Sequence, residues 1–84
     1  MNTVNQKELN ELKWRCRRGM REMDILLDSF LETHYENLTF EQQLAFSEML
    51  DMQDPELFAL LMHKAPASSE AELQVARLIN PPRE

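Results

Sequence analysis

The chain has 84 residues, of which 43% are hydrophobic and 29% are charged, as is typical of one small globular domain. This length excludes a two-domain enzyme, and the single glycine, Gly19, excludes the glycine-rich loops that bind phosphate groups. The longest apolar run, residues 57–62, is far shorter than the ~20 residues of a membrane span.

The N-terminus and the cysteine content indicate the setting. Residues 1–6 have neither a basic start nor an apolar core, so no secretory signal is visible. One cysteine, Cys16, permits no intrachain disulfide. We therefore expect a cytoplasmic protein, monomeric when free, that forms one domain over residues 1–84 with frayed ends at about 1–5 and 81–84.

Charge is distributed unevenly around the net value of −6. Residues 1–21 contain six basic and two acidic side chains, whereas residues 22–63 contain ten acidic side chains and neither lysine nor arginine. The acidic balance argues against nucleic-acid binding, because neutralisation of phosphates supplies most of that affinity. The basic N-terminal segment is either a docking surface or a solvated helix face.

The spacing of apolar residues predicts the first two helices. The first is expected over about residues 6–18, with a buried stripe at spacings of three and four: Leu9, Leu12 and Cys16. Gly19 then permits a turn, because it lacks a Cβ. The second helix is expected over about residues 20–35, and its buried face is the most regular in the chain: Met23, Leu26, Leu27, Phe30, Leu31 and His34.

Helix-start signals predict a third and a fourth helix. Thr39 and Gln42 form a capping box, and the helix after it carries five large apolar residues: Phe40, Leu44, Phe46, Met49 and Leu50. For the fourth helix, Asp54 is expected at the N-cap and Pro55 at the first helical position. Its apolar residues are Leu57, Phe58, Leu61 and Met62.

A second capping box, Ser69 with Glu72, predicts the fifth helix, which ends before the two prolines at 81–82. Its apolar residues are Leu73, Ala76 and Ile79. Residue types that favour helices dominate the chain, and the connections are short. The sequence therefore predicts an all-α fold, a small antiparallel bundle of about five short helices.

No set of residues indicates catalysis. His34 and His63 each fall on or beside an apolar stripe, where a histidine is more often packed than catalytic. Together with Cys16 they do not have the spacing of metal ligands, so we expect no metal site. The serines lack the context of a nucleophile. We therefore expect that the protein is not an enzyme.

Trp14 stands out among basic residues. If the first helix is regular to Arg18, Trp14 points about 140° away from Leu9. It then shares a face with Lys7, Arg17 and Arg18. A large aromatic side chain among arginines on an exposed face is typical of a binding hot spot. The alternative is that Trp14 covers the seam between two helices, and composition alone favours neither.

The segment around Gly19 resembles a family signature. Residues 14–24 read W-x-C-R-R-G-M-R-E-x-D, in which residues 18–22 form the motif R-G-x-x-E. This pattern is similar to the signature of the FAD assembly factor family (SdhE/YgfY). The resemblance continues through residues 54–58 and 77–79 and covers nearly the whole chain, which looks like a bacterial member.

The resemblance implies an assembly chaperone. Members of that family promote covalent attachment of FAD to the flavoprotein subunit of succinate dehydrogenase and fumarate reductase. The FAD belongs to that partner, whose own histidine attacks the 8α-methyl position of the flavin. The chain itself is therefore expected to bind no cofactor. The runner-up hypothesis is a general helical adaptor, or an antitoxin-like regulator, that binds another partner through the same basic face.

The resemblance also implies roles for individual residues. Gly19 is expected to let the backbone approach the partner closely, and Glu22 to make a charged hydrogen bond to the flavoprotein. Arg18 is expected to anchor a carboxylate or carbonyl of the partner, with three residues at the rim: Trp14, Arg17 and Arg21. For Glu22 the alternative is an acid in the first turn of a helix, which the helix dipole favours.

Overall fold

The computed structural model describes residues 6–82, and within them it contains helices and no strand. The five α-helices are α1 (Gln6–Cys16), α2 (Arg21–Thr33), α3 (Phe40–Leu50), α4 (Asp54–Leu61) and α5 (Glu70–Ile79). The predicted all-α fold is confirmed. No helix in this described part of the chain is long and apolar enough to cross a membrane. The predicted frayed ends at 1–5 and 83–84 lie outside the described residues.

The core is formed by the inner faces of all five helices. Its most deeply buried side chains include Met23, Leu27, Phe46, Met49, Leu57, Leu61, Val75 and Ala76, and α1 adds Leu12 and Cys16. The ring of Phe46 lies at the centre, with centroids 4.9 Å from Phe30 and 5.8 Å from Tyr35. The stripe predicted for α2 is buried except at Leu26 and His34, which are half-buried.

The first two helices are shorter than predicted. α1 ends at Cys16, two residues before the expected position. The next backbone N–H, that of Arg17, donates to Trp14 O at 3.1 Å. The N–H groups of Arg18 and Gly19 donate to the Asp24 side chain instead of to carbonyls of α1. α2 ends at Thr33 and is followed by one tighter 3₁₀ turn, Tyr35–Asn37.

The capping box before α3 is confirmed. Thr39 Oγ1 accepts from the backbone N–H of Gln42 at 3.1 Å, and Gln42 Oε1 accepts from the N–H of Thr39 at 3.0 Å. Of the five apolar residues expected in this helix, three are buried and two are not. Phe40 is 77% exposed and Leu44 is 49% exposed, since they lie on the side of α3 that faces away from Phe46 and the core.

The start of α4 differs from the prediction by one residue. Asp54 is the first residue of the helix, so Pro55 is the second, and the N-cap is Gln53, whose side chain makes no capping hydrogen bond. The carboxylate of Asp54 is engaged elsewhere: Asp54 Oδ1 accepts from Arg18 Nε at 2.7 Å.

The second capping box forms only in part. Ser69 Oγ accepts from the N–H of Glu72 at 3.2 Å, as predicted. The return hydrogen bond goes to a different residue, because Glu72 Oε1 accepts from the N–H of Ser68 at 2.6 Å.

Candidate functional site

The turn between α1 and α2 contains a glycine in a conformation that L-residues rarely adopt. Gly19 has φ +85° and is exposed. No heavy atom lies within 4 Å of the position that a Cβ would occupy there. The backbone conformation therefore favours glycine, whereas the packing of this chain leaves room for a side chain. An approaching molecule meets bare backbone at this point.

Asp24 fixes the backbone of this turn. Its Oδ1 accepts from the N–H of Arg18 at 3.0 Å, and its Oδ2 accepts from the N–H of Gly19 at 3.1 Å. Both bonds are charge-assisted, which makes them stronger than bonds between neutral groups. The turn is therefore tied to the first full turn of α2. The sequence analysis assigned no role to Asp24. The pattern that could have indicated its role is an acidic residue five positions after the glycine of a turn.

Arg18 points into the molecule. Its guanidinium donates to Asp54 Oδ1, to Leu50 O at 2.8 Å, to Arg15 O at 3.2 Å and to Met52 O. The side chain is only 12% exposed. The expectation that Arg18 shares the exposed face of Trp14 is therefore wrong, because α1 ends before it and the side chain reaches the α3–α4 connection. Its role as an anchor for a partner stays a prediction.

Glu22 lies in the first turn of α2 and is exposed. The N-cap residue of this helix, Met20, provides no side-chain hydrogen bond. A carboxylate at Glu22 therefore stabilises the uncapped helix start through the helix dipole and is also free to meet a partner. Gly19, Arg21 and Glu22 are thus three exposed residues within four positions of the turn and the start of α2.

Trp14 lies on the outer side of α1 and is 78% exposed. Together with Asn10, Lys13 and Arg17 it lines an open groove of about 450 Å³. This exposure excludes the alternative that Trp14 covers a seam between helices. We call the exposed residues around the turn the junction surface; they are Trp14, Arg17, Gly19, Arg21 and Glu22.

Comparison with known proteins assigns the family. The model of a family described as "Flavinator of succinate dehydrogenase" matches residues 10–81. The chain is 46% identical over 66 residues to the FAD assembly factor SdhE of Haemophilus ducreyi, covering 76% of this chain and 80% of the relative. It is 38% identical over 81 residues to that of Colwellia psychrerythraea, covering 93% and 89%. The chain belongs to the FAD assembly factor family.

The R-G-x-x-E motif at residues 18–22 has two structural parts in this chain. Arg18 is turned inward and connects the turn to α3 and α4. Gly19 and Glu22 are turned outward and are exposed. The R-G-x-x-E motif therefore combines a residue that supports the turn with two residues that an outside molecule is able to touch.

Two buried titratable groups, Cys16 and Tyr35, have raised pKa values and are not set up as nucleophiles. Burial, followed by the charge of Asp28, raises the pKa of the Cys16 thiol to about 11, so the thiol is protonated at neutral pH. Burial and the neighbouring Glu8 raise the pKa of Tyr35 to about 12. Within residues 6–82, no group of three or more His, Cys, Asp or Glu side chains is arranged to hold a metal ion.

Proposed function

We propose that this protein binds the flavoprotein subunit of succinate dehydrogenase, and the corresponding subunit of fumarate reductase, and promotes covalent attachment of FAD to it. The protein acts as a chaperone in the bacterial cytoplasm, as a monomer when free, and the FAD is carried by the partner. Membership of the FAD assembly factor family supports the reaction. The observation that carries the site is the exposed Gly19, which has open space above it and a fixed backbone beneath it.

Attachment requires that a histidine of the partner and the edge of the flavin stay in near-attack geometry. Correct placement of two reacting groups lowers a barrier by several kcal/mol, up to about 7–11 kcal/mol in well-oriented systems. In the proposal, the chain binds the immature flavoprotein in the conformation that has this geometry and so raises its population. The chain supplies binding energy, and the partner supplies the reacting groups.

The residues of the junction surface divide this work. The bare backbone at Gly19 permits close approach, and the exposed carboxylate of Glu22 accepts hydrogen bonds from the partner. Trp14 and Arg17 form the rim, and the exposed ring of Trp14 supplies apolar area that an interface is able to bury. Arg18 and Asp24 support the junction surface from the inner side of the turn, because their hydrogen bonds fix its backbone.

The first test uses Gly19→Asn. Asparagine adopts a left-handed conformation more readily than other L-residues, so the turn is kept while a side chain is added to the bare surface. Apo-flavoprotein subunit of succinate dehydrogenase is incubated with FAD and either wild-type chain or the variant, and covalent flavin is measured by fluorescence in a denaturing gel. We expect at least a tenfold slower attachment with Gly19→Asn while the melting temperature changes little.

The second test separates the two roles of Glu22. Glu22→Gln and Glu56→Gln each remove an exposed carboxylate from the first turn of a helix, α2 or α4 respectively. Each substitution is expected to lower the free energy of unfolding by about 0.3–1 kcal/mol, because it removes a favourable interaction with the helix dipole. Only Glu22→Gln is expected to slow flavin attachment and to weaken calorimetric binding to the flavoprotein.

Wild-type rates with both Gly19→Asn and Glu22→Gln would show that the junction surface is not the contact. If the wild-type chain neither binds the flavoprotein nor increases covalent flavin, the function itself is wrong, and an adaptor for another partner replaces it.

A further inference from the structure

A second exposed surface lies on α3, outside the junction surface. Phe40 is 77% exposed and Leu44 is 49% exposed. Residues four apart on a helix are neighbours on the same face, so the two side chains form a continuous apolar ridge. Contiguous exposed apolar surface, unlike single scattered apolar residues, is a feature of interaction sites.

Two open grooves flank this ridge, and carboxylates line both. The groove between α1 and α3, of about 320 Å³, includes Glu8 and Glu11. The groove between α3 and α5, of about 370 Å³, includes Glu41, Glu48 and Glu70. Leu44 lines both grooves. We call this ridge, with its five glutamates, the acidic ridge.

Little positive charge lines these two grooves. Among the described residues that line the two grooves, Arg15 is the one lysine or arginine. Its guanidinium is already bound to Asp51 Oδ1 at 2.8 Å and to Ser47 O at 2.7 Å. The ridge therefore presents apolar side chains inside a negative field, which attracts a partner of positive charge.

The acidic ridge and the junction surface lie on different sides of α1. Glu8 and Glu11 line the groove against α3, whereas Lys13 and Arg17 line the groove beside Trp14. Their opposite charges mean that one segment does not suit both surfaces. Pairing of the ridge with the same ridge of a second copy is opposed as well, since an isologous contact brings like charges together.

We propose that the acidic ridge binds a basic amphipathic helix of a partner protein. The apolar side chains of that helix pack against Phe40 and Leu44 and enter the two grooves, and its lysines or arginines pair with the glutamates at the groove edges. This is the helix-in-groove mode of recognition, in which apolar residues at spacings of three and four provide the anchors. The inference goes beyond the proposed function and does not rest on it.

The test uses two synthetic helical peptides of about 18 residues with the same leucine stripe, one carrying lysines on its flanks and the other glutamates. Each is titrated into the ¹⁵N-labelled chain. The lysine peptide is expected to give saturable amide shifts at residues around Phe40 and Leu44, and its affinity is expected to fall several-fold when the salt concentration is raised from 50 to 300 mM. The glutamate peptide is expected to give no saturable shift.

Variants assign the binding to the ridge. Phe40→Ser with Leu44→Ser is expected to weaken the lysine peptide at least tenfold, and Glu41→Gln with Glu48→Gln several-fold. Ile25→Ser is the matched control, since Ile25 is an exposed apolar side chain on α2, 58% exposed, in a groove that the ridge does not share. It is expected to leave the affinity unchanged.

Three outcomes would overturn the proposal. The first is the absence of saturable binding by the lysine peptide, and the second is equal weakening by Ile25→Ser and by the Phe40 and Leu44 substitutions. The third is a concentration-dependent dimer of the wild-type chain that the Phe40 and Leu44 substitutions abolish, because a second copy would then cover the ridge.

Discussion

Within residues 6–82, two turns contain a residue with positive φ, and they are built in opposite ways. Gly19, with φ +85°, lies between α1 and α2, and His63, with φ +61°, follows α4. At the second turn the helix ends in a Schellman motif: the N–H of Lys64 binds Ala59 O at 2.8 Å and the N–H of His63 binds Leu60 O at 3.0 Å. Glycine is the usual residue at such a position, and this chain has histidine.

The side chain of His63 makes a hydrogen bond within the protein. His63 Nε2–H donates to Asn80 O at 2.6 Å, and Asn80 Nδ2 donates to Leu61 O at 2.8 Å. These two hydrogen bonds connect the end of α4 to the end of α5. Their contribution offsets the conformational penalty of a left-handed histidine, which is roughly 1 kcal/mol.

Gly19 has no such internal partner. Its turn is fixed from below by Asp24 and Arg18, and the space above its Cα is empty of protein atoms. At the turn after α4, the left-handed residue has a side chain that makes a hydrogen bond within the protein. At the turn between α1 and α2, the left-handed residue is glycine, and the surface beside it is open. This contrast supports the proposal that the space at Gly19 receives another molecule.

The largest loss of stability is expected when Arg18, which fixes the turn between α1 and α2 from its inner side, is replaced. Arg18→Ala removes four hydrogen bonds and leaves the Asp54 carboxylate and the Leu50 carbonyl without this donor, so we expect a loss of about 3 kcal/mol in the free energy of unfolding. Urea denaturation followed by circular dichroism measures it. The matched control is Arg17→Ala, an exposed arginine one residue earlier, with a loss within about 0.5 kcal/mol. Equal losses for both variants would contradict the inward role of Arg18.

The stability of the region before the first turn is expected to depend on pH, because α1 ends at Cys16, a buried thiol. The pKa of Cys16 is raised from 9.0 to about 11, so above pH 9 the unfolded chain releases the thiol proton and the folded chain keeps it. Stability is therefore complete below pH 9 and decreases as the pH rises from 9 towards 11. We expect a decrease of about 1 kcal/mol between pH 8 and 9.5, most of which Cys16→Ala removes; the raised pKa of Tyr35 accounts for a smaller part. Urea denaturation of both proteins at each pH measures this, and identical slopes would contradict it.

A cost smaller than that of Arg18→Ala is expected at Gly19 itself. Gly19→Ala places an L-residue at φ +85° but meets no neighbouring atom, so we expect a loss of about 1 kcal/mol that arises from the backbone alone. Thermal denaturation measures it, with a change of about 4–8 °C in the melting temperature. Gly19→Asn serves as the control and is expected to lose less. A loss above about 3 kcal/mol would mean that the space is not open in solution.

The smallest effect is expected at the second turn. His63→Gly removes one exposed hydrogen bond to Asn80 O and at the same time relieves the strain of the left-handed histidine. The two contributions oppose each other, so the free energy of unfolding is expected to change by less than about 0.5 kcal/mol. A loss of about 2 kcal/mol in thermal denaturation would show that the connection between α4 and α5 depends on the imidazole.

Sequence periodicity predicted the helices and most of the core because both depend on local spacing. The stripe of α2 is buried at Met23, Leu27 and Phe30 as expected, and the capping box at Thr39 forms as predicted. The fold class therefore follows from information within single segments. The same information placed Phe40 among the apolar residues of α3 and gave no sign that it is exposed, because exposure depends on which side of the helix the bundle covers.

The supporting residues of the junction surface were not predictable in the same way. The partners Arg18 and Asp54 are 36 positions apart in the chain, so their pairing depends on the tertiary arrangement of α1, α3 and α4. Assuming a regular helix to Arg18 placed that side chain on the wrong face. The exposed members, Trp14 and Gly19, follow from helix geometry and residue type, and their exposure agrees with the predicted surface.

The reach of Arg18 has a consequence for the order of events during synthesis. A growing chain that has emerged only as far as residue 50 already contains the whole sequence of the turn but not Met52 or Asp54, to which the guanidinium is bound. The turn thus acquires its final shape after more than half of the polypeptide has been made. In the proposed function, a ribosome-bound fragment that ends before residue 54 is a poor competitor for the flavoprotein, because its turn is not yet fixed by these contacts.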